Sequence, residues 1–213
     1  MQLLLSLSKF SQQPLTTQVL LGLLNKYKRP YDKIVELVHK GYLLQLRRGL
    51  YVVSDLISPV ASEPFLIANH LYGPSYVSVD TALHHWGLIP ERVFEVTSVT
   101  PKSPKKIVSA DRIYSYTHLP MGYYPLGIRQ VALTETQVIL MACQEKSLCD
   151  KIITTSNLQL RSKTQAMQYL IEELRIDHQN LKQLDLSEME NWLTVCPKKN
   201  SIENLLKALK NLK

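Results

Sequence analysis

Apolar positions in the first quarter of the chain follow helical spacing and then switch to strand spacing. Residues 1–10 place Leu3, Leu4 and Leu7 on one side of a short helix. Pro14 and Thr16-Thr17 supply a helix start. Val19, Leu20, Leu23, Leu24 and Tyr27 then recur as an apolar helical stripe. Lys26-Tyr27-Lys28-Arg29-Pro30 reads as a turn, and Pro30 suits the first position of a third helix. There Tyr31, Ile34, Leu37, Val38 and Gly41 share the inward face, while Asp32, Lys33, Glu36, His39 and Lys40 point outward. Two short β-prone runs follow, from Leu43 to Val53, around Arg47-Arg48-Gly49. Glycine tolerates the positive φ of a tight hairpin. Helix, helix end and basic hairpin in this order predict a winged helix-turn-helix over residues 1–56.

Residues 55–61 have no period and contain Pro59, which marks a boundary. Beyond it Ser62 is expected to cap a helix over 63–72, ended by Gly73-Pro74, and Ser78 another over 79–86, stopped by Gly87. Strands are expected over 93–99, 112–118, 126–133 and 137–141, with a basic loop at 101–106. A helix is expected over 144–153, and the chain reads as helical from Lys163 onward. In the last segment Asn200 and Glu203 resemble a capping box. Ile202, Leu205, Leu206, Leu209 and Leu212 form its apolar face, and Lys207, Lys210 and Lys213 its polar one. Such a helix serves to close its own domain's core or to bind a membrane or partner; the first reading is preferred. The expectation is an α+β protein. A winged helix-turn-helix is followed, over 62–213, by a mixed domain with a small antiparallel sheet and a helical C-terminal part.

Composition adds little except through charge. The 213 residues are 45% hydrophobic and 20% charged, the balance of an ordinary globular chain. Three cysteines without CxxC spacing argue against a disulfide framework or a zinc site and fit a reducing cytoplasm. No apolar run reaches the ~20 residues of a membrane span, and the leucine-rich start lacks the basic region and cleavage site of a signal peptide. The net charge is +7. Residues 1–55 hold eight Lys and Arg against three Asp and Glu, so most of the positive field belongs there.

That field suggests double-stranded DNA as partner. Lys26, Lys28 and Arg29 at the turn and Arg47 and Arg48 at the hairpin are the candidates for phosphates. Lys33, His39 and Lys40 are the outward helix residues expected near DNA. Asp32 and Glu36 either accept from cytosine amino groups or, as the Glu36–Lys40 spacing allows, belong to a solvated ion-paired face. Lys102, Lys105 and Lys106 either extend the basic track or form a solvated turn.

The sequence offers few candidates for catalysis. His84 and His85 are adjacent and would face about 100° apart on a helix, which does not suit one metal. Glu145, Lys146 and Asp150 share a helix, with Lys146 and Asp150 spaced to pair. There is no Gly-rich phosphate loop and no GxSxG elbow. No catalytic residue, cofactor or metal is expected.

Several stretches in order resemble the AbiEi-type antitoxins of type IV toxin–antitoxin (abortive infection) systems. They are Arg48-Gly49-Leu50-Tyr51-Val52, Ile67-Ala68-Asn69, Gly73-Pro74-Ser75-Tyr76-Val77-Ser78, Thr81-Ala82-Leu83, Trp86-Gly87-Leu88-Ile89-Pro90, Val96-Thr97-Ser98-Val99-Thr100 and Glu145-Lys146-Ser147-Leu148-Cys149-Asp150. Together they cover roughly residues 15–155. Cys149 and His84-His85 depart from the pattern. The resemblance implies a cytoplasmic repressor that binds inverted repeats in its own promoter. Its second domain would oppose a nucleotidyltransferase-like toxin, in many members without a stable complex, and it would not be an enzyme. Two other readings stay open: a regulator whose second domain binds a ligand or protein, and a nuclease-like enzyme using Asp80, Glu145 or Asp150.

Overall fold

The computed structural model describes residues 2–212; Met1 and Lys213, which the sequence places in the first and last helices, lie outside the described residues. The first part runs α1 (Gln2–Ser8), β1 (Leu15–Thr16), α2 (Thr17–Leu23), α3 (Pro30–His39), β2 (Leu43–Arg47) and β3 (Leu50–Val53). Thr16 caps α2, its hydroxyl accepting from the Val19 amide. Pro30 opens α3, where its missing N–H costs nothing. The strands form an antiparallel sheet in the order β1-β3-β2. Gly49, at φ +81°, makes the tight β2–β3 turn that the sequence predicts.

One side chain of α3 is placed differently from the expectation. Tyr31 is 63% exposed, because it lies in the first turn, beyond the core that Ile34 and Leu37 fill. The α2 stripe is also shorter than the sequence suggests. Only Leu20 and Leu24 of it are fully buried, Val19 faces out, and Tyr27 falls in the turn after the helix.

The second part begins with α4 (Pro64–Leu71), β4 (Tyr76–Val77) and α5 (Val79–His85). It continues with β5 (Val96–Thr100), β6 (Lys105–Ser109), β7 (Arg112–His118), β8 (Ile128–Ala132), β9 (Val138–Ala142) and α6 (Gln144–Thr154). Then come α7 (Lys163–Gln168), which runs into a π-helical turn at Tyr169–Glu173, and α8 (His178–Gln183), α9 (Leu186–Trp192) and α10 (Lys199–Lys210). The sheet has six strands in the order β6-β7-β5-β4-β9-β8. It is mixed rather than the small antiparallel sheet expected, since β5 pairs parallel to β7 and β4 parallel to β9. Those pairings join distant residues such as Val77 and Met141, which local alternation cannot reveal. Among the described residues no helix is long and apolar enough to cross a membrane.

At three expected caps the side chain does not cap the helix. Ser62 donates to the Ser11 carbonyl, and α4 starts from Glu63 with Pro64 at its first position. Ser78 is the N-cap residue of α5, as expected, but its hydroxyl donates to Asp150 rather than accepting from the first turn. α10 starts from Lys198, in a left-handed conformation, so Asn200 lies inside the helix. Its Ile202, Leu205, Leu206 and Leu209 are buried in the larger core, as the closing-helix reading expects.

The β2–β3 hairpin serves two cores. Leu43, Tyr51 and Val53 face Leu7, Leu15, Leu20, Leu24, Ile34 and Leu37. Leu46, Leu50 and Val52 belong instead to the core of the second part. Strand periodicity explains this: along β3, alternate residues point to opposite faces. Ser109 at the end of β6 adds a hydrogen bond to the Leu46 carbonyl, 3.0 Å.

Candidate nucleic-acid interface

The outward face of α3 carries Tyr31, Val35 and His39, one turn apart and all exposed; Val35 is 69% exposed. Val35 is absent from the residues that the sequence points to, although its spacing from Tyr31 and His39 puts it there. The charged residues of the same helix are largely self-neutralised. Lys33 and Lys40 both reach Glu36, at 2.8 and 2.7 Å. They hold its carboxyl at about 2, well below the usual range. The Glu36–Lys40 pair is the one the spacing suggests; the Lys33 contact is additional. Lys33 also stands over the Tyr27 ring. Arg29 lies 3.7 Å from Asp32 with both side chains exposed, a contact water screens heavily. Lys26 and Lys28 are exposed and have no ion-pair partner among the described residues.

At the hairpin the two arginines diverge. Arg48 is exposed and its guanidinium has no partner among the described residues. Arg47 turns back, donating to its neighbour's carbonyl at 3.3 Å and to the His70 carbonyl of α4 at 3.4 Å. Burial holds the His70 imidazole below its usual value, and the Arg47 charge adds to this. Two residues on, the Tyr72 ring carries Lys102 at 5.5 Å and Lys105 at 5.2 Å. Lys102 also donates to the Gly73 carbonyl. Arg47, Lys102 and Lys105 therefore gather around the C-terminal end of α4. Lys106 does not join them; it pairs with Glu95 at 3.4 Å. The stretch expected as a basic loop is thus partly strand, because Lys105 and Lys106 open β6.

The larger part is organised around a buried polar centre. Asp150 is fully buried and accepts from Tyr76 at 2.9 Å and Ser78 at 2.7 Å. Lys146, one turn earlier on α6 and equally buried, lies 3.2 Å from its other oxygen. Lys146 also donates to the Tyr123 carbonyl and stands 3.2 Å from the centre of that ring. Burial pushes Asp150 up and Lys146 down from their ordinary values. Beside this centre, the Thr97 hydroxyl bonds that of Thr81 and donates to the Ser78 carbonyl, the Trp86 indole donates to the Ala142 carbonyl, and Thr100 donates to the Pro74 carbonyl. Much of the motif set singled out in the sequence thus interlocks at or beside one structural centre.

The acidic candidates for catalysis serve separate bonds. Asp80 pairs with Lys151 at 2.7 Å, Glu145 accepts from the Asp185 amide, and Asp150 is enclosed as described. Cys143, Glu145 and Glu188 do approach one another, within 4.8 Å. Arg129 already pairs with Glu188, and burial pushes the Cys143 thiol up to about 12, which disfavours the thiolate a metal would need. His85 packs edge-on to Phe65 and Trp86, and His84 is exposed.

No known protein family and no curated protein matches the chain by sequence. The fold is similar to that of the RV2827C protein from Mycobacterium tuberculosis, with a TM-score of 0.61 over 97% of this chain and 75% of that one, at 14% identity. At that identity the likeness is one of fold.

Proposed function

We propose that the chain is a DNA-binding transcriptional repressor whose first part is a winged helix-turn-helix with α3 as the recognition helix. The observation that carries this reading is the outward face of α3. Tyr31, Val35 and His39 stand exposed there, and the turn that leads into the helix carries the exposed Lys26 and Lys28, which have no ion-pair partner among the described residues. An apolar side chain on such a face suits a thymine methyl, and flanking cations suit phosphates. Lys26, Lys28 and Arg48 have no ion-pair partner among the described residues, whereas Lys33 and Lys40 share Glu36. Lys102 and Lys105 extend the positive surface from Arg47.

For the larger part we keep the AbiEi-like antitoxin role against a nucleotidyltransferase-like toxin, supported by the ordered motifs. Those motifs are mostly buried, so the surface that opposes a toxin is not among them. Co-expression with a nucleotidyltransferase encoded beside this gene tests that half: rescue of growth supports it, and its absence removes it.

The repressor half is tested by binding to the chain's own upstream DNA against scrambled DNA over a salt series. Arg48→Ala should flatten the salt slope by about 0.9, the value of one phosphate contact, and Arg47→Ala by less. Val35→Ser should change sequence preference and leave the slope alone. Equal, sequence-blind binding would refute the assignment. If DNA does not bind at all, the apolar pair Tyr31–Val35 is better read as a protein contact.

A further inference from the structure

A cleft of about 620 Å³ opens between the β2–β3 hairpin and the large sheet, within the size range of small-molecule sites. Its walls come from both parts of the chain: Leu44, Val52 and Ser54 from the hairpin side, Val60 from the connector, Arg112 and Tyr114 from β7. Tyr114 and Ser54 are 0% and 3% exposed, yet among the described residues neither hydroxyl has a hydrogen-bond partner. Native interiors seldom leave such groups unsatisfied. Arg112, two residues from Tyr114 on the same strand and so on the same face of it, pairs with no carboxylate among the described residues. Its charge acts on the Tyr114 hydroxyl against the effect of burial. Leu44 and Val60 line the same cleft while 44% and 50% exposed, an apolar surface left uncovered.

Two hydroxyl donors and a guanidinium beside exposed apolar side chains call for a ligand with one anionic end and an apolar body. Asp55 and Glu63 also line the cleft and would repel a second negative charge, which weighs against a nucleotide or polyphosphate. We propose that this cleft binds a small monocarboxylic acid, with its carboxylate on Arg112, Tyr114 and Ser54 and its apolar body on Leu44 and Val60. Because the walls belong to both parts of the chain, the ligand bridges them. The site does not depend on the DNA-binding reading.

The test is an amide NMR titration of the full chain with benzoate and with hexanoate, and with benzyl alcohol as the uncharged control. Saturable shifts at Ser54, Val60 and Arg112 with the acids, and much weaker ones with the alcohol, are expected. Arg112→Gln should weaken benzoate about tenfold or more, as loss of a charge-assisted contact does. Tyr114→Phe should weaken it about two- to tenfold while leaving the melting temperature of the free protein unchanged or raised, because the lost hydroxyl had no partner. The proposal is overturned if about 10 mM of either acid produces no shift, since a site of only about 1 mM affinity would then be nearly filled. Equal binding of benzyl alcohol, or indifference to Arg112→Gln, overturns it too. A Tyr114→Phe chain that melts well below the parent would show that the hydroxyl is already partnered, and would also overturn it.

Discussion

Gly127 shows how one residue can be fixed by packing rather than by its neighbours in sequence. Its φ is +64°, and an added Cβ would stand 2.8 Å from Lys146 Cβ and 2.9 Å from the Trp192 ring. Gly127→Ala should therefore destabilise the fold by about 2–4 kcal/mol, combining overpacking with a left-handed backbone; urea denaturation measures it. Asp150 makes the complementary case. Asp150→Ala leaves Lys146 buried without a counter-charge and should cost about 3–5 kcal/mol. Adding Lys146→Met should recover part of that loss, and a double variant no more stable than Asp150→Ala would deny the pair its coupling. The i,i+4 spacing of these two residues is legible in the sequence. Their complete burial is not, since it depends on Tyr76, Ser78 and Tyr123 arriving from elsewhere in the chain.

At the scale of elements, α3 carries opposite charges that cancel one another on its own surface. Glu36→Gln would free Lys33 and Lys40 for phosphates. It should tighten non-specific DNA binding and steepen the salt slope by up to about 1.8, from two added contacts. An unchanged slope would mean that neither lysine faces DNA. The pH dependence of the Glu36 pairing follows from its depressed carboxyl. The stabilisation is fully present above the ordinary carboxyl value of 4.5 and is lost as the pH falls toward about 2. Carboxyl carbon NMR should accordingly place its midpoint near 2, and Lys33→Ala with Lys40→Ala should move it up.

Element legibility followed signal strength. Strand β7 falls where alternation places it, and Gly49 marks the hairpin turn. The two-residue β4 is too short to carry a period, and the lysines of β6 disguise an edge strand as a loop. The hydroxyls of Ser62 and Ser78 take tertiary partners instead of capping, which spacing cannot weigh, and Asn200 does not cap because α10 already starts from Lys198.

Across the whole molecule, the hairpin couples two hydrophobic cores through its two faces. Leu50→Ala should cost about 2–5 kcal/mol. It should lower the stability of both parts together, because the lost wall belongs to a structure they share. Trp86 and Trp192 fluorescence reports on the larger core, and methyl signals of Leu20 report on the smaller. Coincident transitions are expected in the parent and the variant; separate ones would show the cores to be independent.

The order of helices, the basic hairpin, the concentration of charge in the first 55 residues and the apolar closing helix all follow from the sequence alone. Each rests on local spacing or on composition, and both survive without knowledge of the fold. Only the tertiary structure decided the mixed sheet, the burial of Lys146 and Asp150, the turning back of Arg47 toward His70 and the hydroxyls of Ser54 and Tyr114, unpartnered among the described residues. Each depends on which distant residues meet. The chain's local pattern sets what every segment presents, whereas long-range contact determines which charge is neutralised, which hydroxyl is satisfied and which face stays open to a partner.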